Sequence, residues 1–132
     1  MDILIIDGQG GKLGAGLVTA VKENYPQATV TAVGTNAIAT AAMLKAGATQ
    51  GATGENPVIV ACRKADVILG PIGIVTADAL LGEITPAMAA AVGAASARKI
   101  LIPMNRCEIR VVGVKELTMN DYIALAIKEM EA

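Results

Sequence analysis

The chain has 132 residues, 11 of them basic and 12 acidic for a formal net charge of −1, with no histidine, no phenylalanine, no tryptophan and two tyrosines. It lacks the cationic footprint and the stacking platforms of a nucleic-acid binder, and the missing histidine removes the commonest general base and metal ligand. The length fits one domain with an ordinary core, and the apolar stretch Ile84 to Ala97 carries Thr85, Pro86 and Ser96 and is too short to cross a bilayer.

In chain order, Ile3, Leu4, Ile5 and Ile6 make an apolar run that stops at Asp7. Gly8, Gly10, Gly11 and Gly14 follow, and then Leu13, Leu17, Val18 and Val21 recur at helical spacing. This predicts a buried strand, a tight glycine turn and a helix from about Gly11 to Glu23. Such a turn leaves backbone N–H groups at a helix N-terminus, where the dipole favours an anion. Gly8, Gly10 and Leu13 miss the third glycine of the dinucleotide fingerprint. The spacing Gly8, Gly11, Gly14 instead resembles the Gly-x-x-Gly-x-x-Gly turn of extended and reductase-type Rossmann proteins. Lys12 suits an anion beside it, whereas Asp7 opposes a bare pyrophosphate. A second reading of the same glycines is close packing of helix on strand.

Tyr25-Pro26 ends the first helix. Thr29 to Val33 is a second strand, and Asn36 caps an alanine-rich helix from Ala37 to Ala46 that Gly47 stops. A short third strand fits near Thr49. Asn56-Pro57 reads as cap and first residue of the next helix, which carries Cys62. Val67 to Leu69 is a fourth strand, apolar throughout, followed by a loop from Gly70 to Leu81. Thr85-Pro86 opens a helix over Ala87 to Ala97, Lys99 to Pro103 is a fifth strand and Ile109 to Val114 a sixth. Thr118, with Asp121 three residues on, caps a last amphipathic helix whose Ile123, Ile127 and Met130 face the core.

Strands alternating with helices predict a single α/β domain, a doubly wound and mostly parallel Rossmann-like sheet of about six strands in the order 3-2-1-4-5-6. The ligand crevice of such a sheet lies where the strand order reverses, so the turn Gly8 to Gly14 is expected to face the loop Gly70 to Thr76. The candidate cofactor-binding residues are accordingly Asp7, Gly8, Gly10, Gly11, Lys12, Leu13, Gly14, Thr35, Asn36, Gly70, Pro71, Gly73 and Asn105. Thr35 and Asn36 stand where dinucleotide binders carry an acid or an arginine, and serve equally as caps. Cys107 is a candidate nucleophile without a histidine partner. Glu83 reads as an acid–base group or, better, as a carboxylate that favours the following helix N-terminus.

The whole chain resembles a family of small bacterial proteins known as a domain of unknown function. The resemblance is carried by Ile-Asp-Gly-Gln-Gly-Gly from Ile6, Gly-Thr-Asn-Ala-Ile-Ala-Thr from Gly34, Gly-Ala-Thr-Gly-Glu-Asn from Gly51, Gly-Pro-Ile-Gly-Ile-Val from Gly70, Leu-Gly-Glu-Ile-Thr-Pro from Leu81, and Asn105 with Cys107. It implies no activity. Ala65 to Asn105 also looks like part of the phospholactate transferase and gluconeogenesis-factor family, but Ile72 interrupts that family's Gly-Pro-Gly loop and transferase chemistry does not carry over.

The expectation is a cytoplasmic nucleotide-binding protein, with a dinucleotide such as NAD(P) or another phosphorylated metabolite at the glycine turn, free thiols and a symmetric homodimer. The alternatives are a non-enzymatic sensor or assembly subunit, and a phosphoryl-handling enzyme with Mg²⁺ on Asp7 and Asp78.

Overall fold

The computed structural model describes residues 1–104 and 108–132. Its elements run β1 (Asp2–Asp7), α1 (Lys12–Asn24), β2 (Thr29–Gly34), α2 (Ala37–Lys45), β3 (Gln50–Thr53), α3 (Glu55–Cys62), β4 (Val67–Pro71), a 3-10 turn (Ile72–Val75), α4 (Pro86–Ala94), β5 (Arg98–Ile102) and α5 (Met119–Glu131). The five described strands are all parallel, in the order β3-β2-β1-β4-β5. The order reverses between β1 and β4, as the alternating pattern predicts.

The period-two geometry of a strand splits β1 between two cores. Ile3 and Ile5 face α1 and α5, packing on Leu17, Val18, Val21 and Ile123. Leu4 and Ile6 face the other side, where Val58 and Cys62 of α3, Met88 and Val92 of α4, and the loop residues Ile74, Leu80 and Ile84 cover them. Both faces being covered explains why β1 and β4 read as unbroken apolar runs.

The expected caps form. Asn36 accepts from the Ala39 N–H at 2.9 Å, Thr85 from the Met88 N–H and Thr118 from the Asp121 N–H, each at 3.1 Å. Gly47 ends α2 with φ +116°, its N–H and that of Ala48 donating back to Leu44 and Met43.

Two expectations change. Helix α3 begins at Glu55, capped by Gly54 at φ +109°, so Pro57 sits at its third position rather than its first. A proline is tolerated there because that N–H has no helical partner. The stretch Ile109 to Val114 forms no strand. Its valines suit a sheet, but Val112 is 99% exposed and Gly113 takes φ +86°, a left-handed turn conformation that a strand does not hold.

Candidate functional site

Alternation along β1 decides where Asp7 goes. With Ile3 and Ile5 on the α1 face, Asp7 falls on that face too, under the first turn of the helix. Its Oδ2 accepts the Gly14 N–H at 2.7 Å and its Oδ1 accepts the Gly8 N–H at 2.8 Å. Gly11, the N-cap residue, has no capping side chain, so an aspartate from the strand tip does that work. Asp7 is buried, and burial pushes its carboxyl up, against the two N–H bonds that lower it; the charge of Glu83 pushes the same way as burial.

Three of the four glycines in the turn are demanded by packing. A Cβ on Gly14 would lie 2.6 Å from Met43 Sδ and 2.7 Å from Asp7 Cβ. On Gly11, already at φ +76°, it would lie 2.7 Å from the Ala39 Cα of α2. On Gly8 it would lie 2.6 Å from Thr35 Oγ1 and 2.7 Å from Glu83 Oε1. Gly10 differs, since a Cβ there meets nothing within 4 Å among the described residues. A side chain at Gly11 would therefore strike α2 rather than enter the space above the turn, and among the described residues the open position is Gly10.

Above the turn lies a pocket of about 330 Å³ lined by Asp7, Gly8, Gln9, Gly10, Gly11, Lys12, Leu13, Leu80, Met104 and Met119. Gly14 N–H is taken by Asp7 and Gly11 N–H donates to the Gly8 carbonyl at 2.9 Å. The N–H groups of Gly10, Lys12 and Leu13 meet no protein acceptor among the described residues. The Lys12 side chain is exposed at the first helical position.

Glu83 is the residue that the chain order hides. It does not serve the α4 N-terminus, which Thr85 caps. Its Oε1 accepts from the Gln9 N–H at 2.8 Å, from Asn36 Nδ2 at 3.0 Å and from the Thr35 hydroxyl. Burial pushes its carboxyl up, but those hydrogen bonds outweigh the burial and hold it below the usual glutamate range. The segment that delivers it is strained. Asp78, Leu80, Leu81 and Gly82 all take positive φ, and each leucine in that region costs about 1–2 kcal/mol. Buried Leu80 and Ile84 anchor the segment, and Asp78 N–H donates to the Ile84 carbonyl at 2.7 Å.

The structure thus brings Asp7, Gly8, Gly10, Gly11, Lys12 and Leu13 to one pocket, with Thr35 and Asn36 adjoining through Glu83. It does not bring Gly70, Pro71 and Gly73 there. All three are buried, and a Cβ on Gly70 would strike the Ile6 carbonyl while one on Gly73 would press on Ala79 at 3.3 Å. These residues let β4 and the 3-10 turn pass close beneath the site instead of lining it. Asn105 and Cys107 lie outside the described residues. Asp7 accepts one backbone N–H on each oxygen and lines the pocket, whereas Asp78 is exposed in its loop and is not among the residues that line it. A larger groove of about 440 Å³ runs along α3, β2 and β3, but no residue of the glycine turn reaches it.

The profile of one protein family, described as a domain of unknown function (DUF3842), matches residues 2–132. The chain belongs to this family. In this DUF3842 chain the stretches Ile6 to Gly11, Gly34 to Thr40 and Leu81 to Pro86 meet around the Glu83 carboxylate, and Glu55, from a fourth, accepts the Thr85 hydroxyl at 2.5 Å. No protein of curated function matches the chain. Among solved structures it is similar to the crystal structure of a dodecameric FMN-dependent UbiX-like decarboxylase from Escherichia coli O157:H7, at 18% identity and a TM-score of 0.47 over 99% of this chain and 76% of that one. No helix among the described residues is long and apolar enough to cross a membrane.

Proposed function

We propose that this protein binds a nucleotide, a dinucleotide such as NAD(P) being the class that fits best, with one phosphate at the glycine turn. The observation that carries the reading is the set of uncommitted N–H groups on Gly10, Lys12 and Leu13, which border an open pocket at the carboxyl end of the sheet where the strand order reverses. Lys12 supplies a mobile positive charge, and Leu80, Met104 and Met119 supply apolar wall for a base or a nicotinamide. With the N–H groups of Gly8 and Gly14 on Asp7 and that of Gly11 on the Gly8 carbonyl, the three N–H groups left over suit a single phosphate rather than a fully cradled pyrophosphate. An anion beside the Asp7 carboxyl raises the affinity of that group for a proton, so binding is expected to strengthen as pH falls.

Native mass spectrometry of the freshly purified protein reports a carried-over ligand. Calorimetric titration with NAD, NADP, AMP, FMN and inorganic phosphate then ranks the candidates. Saturable binding of at least one nucleotide, lost in Gly10→Val, is the expected result. Absence of binding by all five overturns the reading.

A further inference from the structure

We propose that Glu83 is the group that recognises the ribose, so that the ligand carries an unsubstituted vicinal diol and a 2′-phosphate is rejected. This deepens the nucleotide reading above and rests on it. In a doubly wound sheet the ribose of a bound dinucleotide sits between the first turn and the tip of the second strand, and a carboxylate at that tip holds the diol. Here β2 ends in Gly34, Thr35 and Asn36, none of them charged.

The missing carboxylate arrives from 47 to 48 residues further along the chain, on the strained segment before α4. Glu83 lies on the turn itself: Gln9 N–H donates to it from one side, Thr35 and Asn36 from the other. Gly8 makes that seat available, because any Cβ there would stand 2.7 Å from the Oε1 atom. All three donors converge on Oε1. Among the described residues Oε2 receives none, and it stays an acceptor for a pair of hydroxyls.

A diol donates to such an oxygen through charge-assisted hydrogen bonds. A phosphate on the 2′ position brings two or so negative charges to the same carboxylate, and neither Thr35 nor Asn36 offers a positive charge to offset them. The left-handed backbone of Leu80, Leu81 and Gly82 fits this role, since strain at a surface loop persists where it aims a functional group.

The test is calorimetric titration of the intact chain and of Glu83→Gln with NAD, NADP, 5′-AMP, 2′-deoxy-AMP and inorganic phosphate. Glutamine keeps an Oε1 acceptor for the three donors, and a thermal melt checks that the variant folds. Wild type is expected to prefer NAD over NADP, and 5′-AMP over its 2′-deoxy form, by about tenfold or more, the size of one lost charge-assisted bond. In Glu83→Gln both ratios are expected to fall to about threefold or less, since a neutral amide no longer repels a phosphate. Should the variant fail to fold, the wild-type ratios decide alone. NADP binding wild type as tightly as NAD overturns the ribose assignment and leaves the nucleotide site standing. Binding of inorganic phosphate but no nucleotide, or of nothing at all, overturns both.

Discussion

Two glycines four residues apart in the same turn are expected to respond in opposite ways to substitution. At Gly14 an alanine Cβ lands 2.6 Å from Met43 Sδ, 2.7 Å from Asp7 Cβ and 3.1 Å from Asp7 Oδ2. The methionine end can swing away, but the Asp7 side chain is held by two hydrogen bonds and cannot retreat without breaking the one to Gly14. Overpacking of this kind costs about 1–3 kcal/mol, and replacing glycine within a helix returns roughly 1 kcal/mol. Breaking that bond adds about 1 kcal/mol, so the net expectation for Gly14→Ala is a loss of about 1–3 kcal/mol, or roughly 3–18 °C in Tm for a chain of this size. At Gly10 a Cβ meets nothing within 4 Å among the described residues and the backbone needs no positive φ, so Gly10→Val should melt within about 2 °C of wild type. Calorimetric melts of the two variants, each paired with a nucleotide titration, read both effects. Gly10→Val should abolish binding while keeping its Tm. If Gly14→Ala melts with wild type, or Gly10→Val falls as far as Gly14→Ala, the division of this turn into packing glycines and one site-facing glycine is wrong.

Glu83 is held below the usual carboxylate range, so the stability it contributes is complete above the ordinary glutamate pKa and is lost as pH falls through its lowered folded value. Glu83→Gln should therefore cost up to about 1 kcal/mol at pH 7, discounted for solvent screening, with the gap closing in acid; urea titrations at pH 7 and pH 3 check the sign. Cys62 is 5% exposed and burial pushes its thiol up, so in a Cys107→Ser background it should react with a thiol reagent only after urea is added, and fast labelling of the native protein would contradict its buried place at the end of α3. Self-association as a homodimer is expected through the β3 edge, where exposed Leu44 and Val60 flank a strand with one free side; sedimentation that finds only monomer at tens of micromolar ends that expectation.

The parts of this fold that were legible in the sequence are those set by neighbours in the chain. The apolar run of β1 ending at Asp7, the caps Asn36, Thr85 and Thr118, and the stop at Gly47 each depend on residues within about a turn of one another. Glu83 was not legible, because its partner Gln9 lies 74 positions away and its aim depends on left-handed leucines that no propensity predicts. Gly70 and Gly73 were assigned to the cleft by topology alone; the rule places their loop near the site but does not say that the glycines look away from it, one toward the Ile6 carbonyl and the other toward Ala79. The last helix reads as amphipathic, with Ile123, Ile127 and Met130 toward the core. In the structure those three are buried together with Tyr122 and Ala126 in the core on the α1 face, Leu125 is exposed, and Tyr122 donates its hydroxyl to the Lys115 carbonyl at 2.5 Å.

The proposed phosphate site uses the N–H groups at the start of α1, and an amide-detected NMR titration of the labelled protein with NAD observes those groups one by one. Phosphate binding there predicts saturable shifts at Gly10, Lys12 and Leu13, with smaller ones at Gln9 and none along the α3 groove at Gly51, Ala52 and Ala61. Shifts that leave the glycine turn still, or that gather along that groove, would contradict it.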